Sequence, residues 1–191
     1  MKQIREIRVE LIIATLALVA SAAASVATVV QTRVVGNQLS ASVWPYLSFS
    51  VTVSPGHMAV SVDNDGLGPA LVRNVRLTVD GKPMTSWRRV IALLVKGTPA
   101  AHTMLGRHAH ATIDETDISY GTVIRPGMSD SIIQVGNDKI DTAFAAGVER
   151  RIDMQICYCS ILGQCWIADL SAQDQPASVN DCGPKGPALV F

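Results

Sequence analysis

Aromatic residues are scarce in this chain, with three Phe, three Tyr and three Trp among 191 residues. Charge is scarce as well: 17% of residues are charged, and 16 basic side chains balance 16 acidic ones. A pI near 6.9 leaves no cationic excess to neutralise phosphates, which argues against a nucleic-acid partner. No heptad pattern, collagen period, internal repeat or low-complexity tract is present. Nor is there a nucleophile elbow, a Walker loop or a dinucleotide fingerprint. Gly66-Leu67-Gly68-Pro69 comes nearest to a phosphate loop, but Pro69 lacks an N–H and blocks the helix that should follow, so it reads as a turn. Four cysteines are too few for a disulfide-dense mini-scaffold. Disorder is excluded by 48% hydrophobic residues at zero net charge, and the length suits one compact domain plus an appendage.

Much of that hydrophobicity is concentrated in one place. Leu11 to Val30 is an uncharged run of 20 residues, long enough as a helix to span the roughly 30 Å of a bilayer core. Its polar members, Thr15, Ser21, Ser25 and Thr28, can bond back to carbonyls of the preceding turn. A buried helix of a soluble core would need a shorter run and a polar face. Lys2, Arg5 and Arg8 precede the run and only Arg33 follows closely, so residues 1–10 are expected in the cytoplasm and everything after Gln31 outside. Small residues at Val19–Ala24 also offer a signal-peptidase pattern, while Val26, Val29 and Val30 prolong the run in favour of a retained anchor. Either reading exports the rest of the chain.

Residues 31–43 read as a polar connector and 44–191 as an extracytoplasmic domain opening at Trp44-Pro45-Tyr46. Beyond Leu47 the apolar period is mostly two. Phe49/Val51/Val53, Met58/Val60/Val62 and Leu71 to Val79 are expected strands, separated by Ser54-Pro55-Gly56 and Asp63-Asn64-Asp65-Gly66. Asp80-Gly81 closes the third as a turn. Trp87, Val90, Ile91, Leu94 and Val95 then share a helical face capped by Ser86, and a second short helix is expected over 138–146. Further strands are expected at 108–113, 118–124 and 131–135, with a hairpin from 151–161 to 165–170 and an irregular tail after Ala172. The fold class is therefore mainly β: an antiparallel, immunoglobulin-like sandwich with two short helices, lacking the Cys…Trp…Cys spacing of antibody domains.

Cys157, Cys159, Cys165 and Cys182 all lie near the C-terminal end. In an exported chain an even count points to disulfides. Cys157 and Cys159 project from one strand face, and a three-residue turn at Ile161-Leu162-Gly163 sets Cys159 opposite Cys165. The expected bridges are Cys159–Cys165 and Cys157–Cys182. A zinc knuckle or redox pair would want C-x-x-C spacing, which Cys-Tyr-Cys does not supply.

His108 and His110 form an H-x-H pair on an expected strand, with His102 near in sequence. They are candidate metal ligands if Asp114, Glu115 or Asp117 join them; the plainer alternative is an exposed polar strand face. Lys82, Arg88, Arg89 and Lys96 read as a solvated helix face, and Asp63, Asp65 and Asp80 as turn carboxylates. No catalytic residue or cofactor is expected.

Two stretches carry a resemblance: Asn64-Asp65-Gly66-Leu67-Gly68-Pro69-Ala70 before a strand and Asp80-Gly81-Lys82, and Cys157-Tyr158-Cys159-Ser160 answered by Cys165-Trp166. Together they resemble uncharacterised bacterial proteins with one N-terminal anchor and a periplasmic sandwich domain. The resemblance implies a single-pass inner-membrane protein with a cytoplasmic N-terminus and a periplasmic C-terminal domain, and carries no activity. The expected function is a non-enzymatic interaction domain, anchored in the lipid bilayer through residues 11–30, with a protein or envelope partner. Two alternatives stand beside it: a metal-binding protein or enzyme using His108 and His110, and an accessory subunit whose Ala22-Ala23-Ala24-Ser25 surface packs in a membrane complex.

Overall fold

The structure, a computed structural model, describes residues 2–96, 112–136, 150–172 and 175–183, with side chains from residue 10 onward. It divides into two compact units, Met1–Ser42 and Val43–Phe191.

The first unit is one helix, α1 (Lys2–Ser42). Within Glu10–Ser42 an 18-residue window reaches a mean hydropathy of 2.2 with no side chain buried, long and apolar enough to cross a membrane. The hydroxyls bond inward: Thr15 Oγ1 to the Leu11 carbonyl at 2.9 Å, Ser21 to Leu18 at 2.8 Å, and Ser25 and Thr28 to Ser21 and Ala24 at 2.9 Å. Along Leu11–Val30 every hydroxyl is therefore bonded within the helix, as a bilayer core requires. The connector expected at 31–43 is helical as far as Ser42. Only Gly36 in it disfavours a helix, by about 1 kcal/mol, whereas Pro45 stops the helix by barring Trp44 from helical geometry.

The second unit is built from strands β1 (Leu47–Ser54), β2 (His57–Asn64), β3 (Ala70–Val79), β4 (Lys82–Pro83), β5 (Thr112–Glu115), β6 (Val123–Ile124), β7 (Ser129–Gly136), β8 (Ile152–Cys159), β9 (Cys165–Asp169) and β10 (Ala177–Val179), with helix α2 (Trp87–Val95) between β4 and β5. Among the described residues they form two antiparallel sheets. One has the order β1-β2-β7-β5; the other runs β10-β9-β8-β3-β4, with β6 also on β3. Their inward side chains share one core, which α2 completes with Trp87, Val90, Ile91, Leu94 and Val95. These are the five residues of its apolar face, and Arg88 and Arg89 opposite are exposed.

Two β-bulges let the alternating pattern change phase. On β3 the inward residues are Ala70 and Val72, then Val75, Leu77 and Val79; the register against β8 slips between Val72 and Asn74. On β7, Ile132 is the extra residue, since Val60 opposes Ile133 and Ser61 opposes Ser131, and both isoleucines are buried. Tight turns follow their sequence signals. Asp80 and Gly81 take φ of 51° and 74°, the left-handed pair of a two-residue hairpin.

Two expectations change. The tail after Ala172 is not wholly irregular: Ala177–Val179 pairs with β9, held there by the Cys157–Cys182 bridge rather than by any apolar period of its own. The strand expected at 118–124 shrinks to Val123–Ile124, because Ser119 to Thr122 turn, with Gly121 at φ 95°, while Ile118 still enters the core. The helix expected over 138–146, and residues 108–111 of another strand, lie outside the described residues.

Candidate functional site

The outward face of β8 carries Asp153, Gln155, Cys157 and Cys159, alternating with the core residues Ile152, Met154, Ile156 and Tyr158. On β9, Cys165 opposes Cys159, Ile167 opposes Cys157 and Asp169 opposes Gln155. The hairpin between them is closed by the Ser160 N–H on the Gln164 carbonyl at 2.7 Å, with Gly163 at φ 83°, which leaves the three-residue loop Ile161-Leu162-Gly163. That loop puts Cys159 and Cys165 at 4.0 Å between Cα atoms, with their sulfurs bonded. Cys182 reaches across β9 and bonds Cys157. The Asn74 amide donates to the Cys182 carbonyl at 3.4 Å. Two bridges fit an oxidising compartment. Cys157, Cys159 and Cys165 are 6–7% exposed, whereas Cys182 is only half-buried.

Farther along the same face, two carboxyls meet. Asp169 accepts from the Gln155 amide at 2.9 Å and from the Ser171 hydroxyl and N–H at 2.7 and 2.8 Å. Burial pushes Asp169 up, but these donors outweigh it and hold the carboxyl below its usual value. Asp153 goes the other way: burial raises it first, and the neighbouring Asp169 adds to that. Its Oδ1 is shielded from solvent with no hydrogen-bond partner. The Ser171 hydroxyl and the charge of Arg76 pull Asp153 back down without reversing the shift.

Between the sheets, a cleft of about 220 Å³ opens where residues 46–49 pass residues 168–170. Leu47 sits at its base, its N–H donating to the Tyr158 hydroxyl at 3.1 Å. Burial pushes that phenol up to about 12.

Asn64 is the structural centre of the Asn64–Ala70 turn. It is 1% exposed, and its amide donates to the carbonyls of Gly68 and Ile124 at 2.9 Å. Its Oδ1 accepts from Tyr46 and Gly66 at 3.2 and 3.1 Å. Both donors and both acceptor positions are used, so this asparagine has nothing left for a ligand. Gly66 and Gly68 are required by close approach, since a Cβ on either would overlap the backbone of Trp44–Tyr46 or the Val43 carbonyl.

His108 and His110, with His102, lie outside the described residues. Their candidate partners Asp114, Glu115 and Asp117 are exposed. Asp63 and Asp65 are engaged by Ser50 and Ser48 at 2.9 and 2.6 Å, and Asp80 by Arg151 at 2.7 Å. Lys82, Arg88, Arg89 and Lys96 are all exposed. What sequence reasoning missed is the contact between the two bridges, the carboxyl pair and the cleft, none of which has a local signal. Comparison with protein-family models, curated proteins and solved structures finds no match for this chain.

Proposed function

We propose that this chain is a single-pass membrane-anchored domain that binds a protein or envelope partner on the extracytoplasmic side of a bacterial inner membrane. The observation that carries the binding role is the outer edge of β1. Among the described residues β1 pairs only with β2, in an unbulged register from Leu47↔Asn64 to Ser54↔His57. Its sequence LSFSVTVS has no charge and no proline, the devices by which edge strands usually refuse company. The cleft at its N-terminal end offers room for a side chain of an added strand.

The strand orders β1-β2-β7-β5 and β9-β8-β3-β4 support an immunoglobulin-like connectivity, in which A-B-E-D packs on G-F-C. Lys2, Arg5 and Arg8 support a cytoplasmic N-terminus, and the two bridges support a periplasmic domain.

The test is affinity purification of the full-length protein from native membranes, beside Val51→Lys. Val51 is 41% exposed on the edge strand, so lysine there blocks strand addition at little cost to the fold. Partners lost with Val51→Lys support the reading. Partners retained there, but lost when α1 is exchanged for an unrelated apolar helix, reject it in favour of a membrane-complex subunit. A reporter fused after Phe191 checks the orientation, and cytosolic activity overturns the export.

A further inference from the structure

Two bridges that only staple a fold have no need to touch. In this domain Cys159 Sγ lies 3.8 Å from Cys182 Sγ, and the sulfurs of Cys159, Cys165 and Cys182 are all within 4.8 Å of one another. Topology brings them there. The β8 pleat aligns Cys157 with Cys159, the hairpin loop fixes Cys165 opposite Cys159, and β10 leads the tail back across β9, Val179 facing Cys165. Accessibility is uneven, because three of the sulfurs belong to buried residues and Cys182 does not.

Bridges move when a thiolate attacks a neighbouring disulfide sulfur, at rates set by access and approach. We propose that these four cysteines form a thiol–disulfide exchange site whose substrate is a dithiol. A substrate thiolate attacks Sγ of Cys182, the least covered of the four cysteines. The Cys157–Cys182 bond breaks, and Cys157 leaves as a thiolate and takes up a proton. The second substrate thiol, on losing its proton, attacks the mixed disulfide. The substrate departs as its own disulfide and Cys182 is released as a thiolate. Cys182 then attacks Cys159 Sγ at 3.8 Å. The Cys159–Cys182 bond forms, the Cys159–Cys165 bond breaks, and Cys165 leaves and is protonated. Two electrons and two protons pass from the dithiol to the protein, which ends with one bridge and the thiols of Cys157 and Cys165. The tail remains tethered, two residues farther along β8, while the hairpin loses its cross-link.

This inference is independent of the β1 edge, so either can fail alone. Its test is limited reduction of the full-length protein in detergent with substoichiometric dithiothreitol, an acid quench, alkylation of free thiols, and tandem mass spectrometry that resolves Cys157 from Cys159. The expected result is a one-bridge species joined through Cys159–Cys182 and alkylated on Cys157 and Cys165. One-bridge chains holding only Cys159–Cys165 or only Cys157–Cys182 would overturn the proposal, as would indiscriminate pairing that includes Cys157–Cys165. Cys165→Ser gives a second readout, leaving one bridge and one thiol. Cys157–Cys182 and Cys159–Cys182 should then coexist within about tenfold of each other, an excess of about 1.4 kcal/mol at most. Cys157–Cys182 alone would refute it. Should that variant not fold, the native chain still decides.

Discussion

Single residues in this domain do work that their local sequence does not announce. Asn64 sits in a stretch, Asp-Asn-Asp-Gly, that reads as solvated turn, yet it ties together four backbone groups from three segments while buried. Replacing it by Ala strands two carbonyls and two N–H groups, and Asn64→Ala should lose about 3 kcal/mol in urea unfolding. An unchanged midpoint would reject its role. Tyr158 presents a subtler case. Its phenol rises from 10.0 to about 12 because burial disfavours the phenolate. The folded state then holds a proton that the unfolded chain gives up, so stability falls as pH rises from about 10 towards 12. Tyr158→Phe should weaken the domain by about 1 kcal/mol at neutral pH and make its alkaline unfolding less steep, as followed by circular dichroism. Asp153 has its carboxyl raised, so its ionisation opposes folding once the pH exceeds the unfolded value. Asp153→Asn should therefore raise the urea midpoint at pH 7, with the gain shrinking as the pH is lowered through the carboxylate range.

At the scale of elements, the strands with uninterrupted alternation were readable, and β2 buries Met58, Val60 and Val62 on one face. Where the alternation changes phase, as from Val72 to Val75, the sequence holds the signal of a bulge but not its partner: the slip has meaning only against β8. The continuation of α1 beyond Gln31, where a polar connector was expected, follows from the lack of any helix-stopping residue before Pro45, since Gly36 only weakens the helix. β10 was not readable. Three residues following Pro176 have no period, and they pair with β9 because the Cys182 bridge delivers them. Cys182→Ser should thus speed amide hydrogen exchange at Ala177–Val179 severalfold and leave the centre of β8 protected. Equal protection of β10 in that variant would show that the strand holds itself.

For the molecule as a whole, the bridges supplement a core that two sheets and α2 already close. Chain-entropy arguments give about 2.4 kcal/mol for the bridge spanning six residues and about 3.5 kcal/mol for the one spanning 25. For a folded unit of this size, removing both should lower the melting temperature by roughly 10–20 °C. Calorimetry of the full-length protein with and without a phosphine reductant measures this. A fall of only a few degrees would mean that the unfolded chain gains little freedom when the bridges open.

The sequence by itself determined whatever depends on neighbours along the chain. An uncharged run sets a membrane-length helix, alternation sets strands, a 3.6-residue period sets α2, and pleat with loop length sets which cysteines face each other. Those are short-range patterns, complete within about twenty neighbouring residues. The tertiary structure alone decided what arises when distant segments meet. Asn64 receives Tyr46 and reaches Ile124, a cleft forms where β1 passes β9, and Cys182 comes against Cys159 because β10 pairs with β9 and the chain beyond it is bonded to Cys157 on β8. Contacts of that kind are fixed by the packing of the two sheets, which no local pattern encodes.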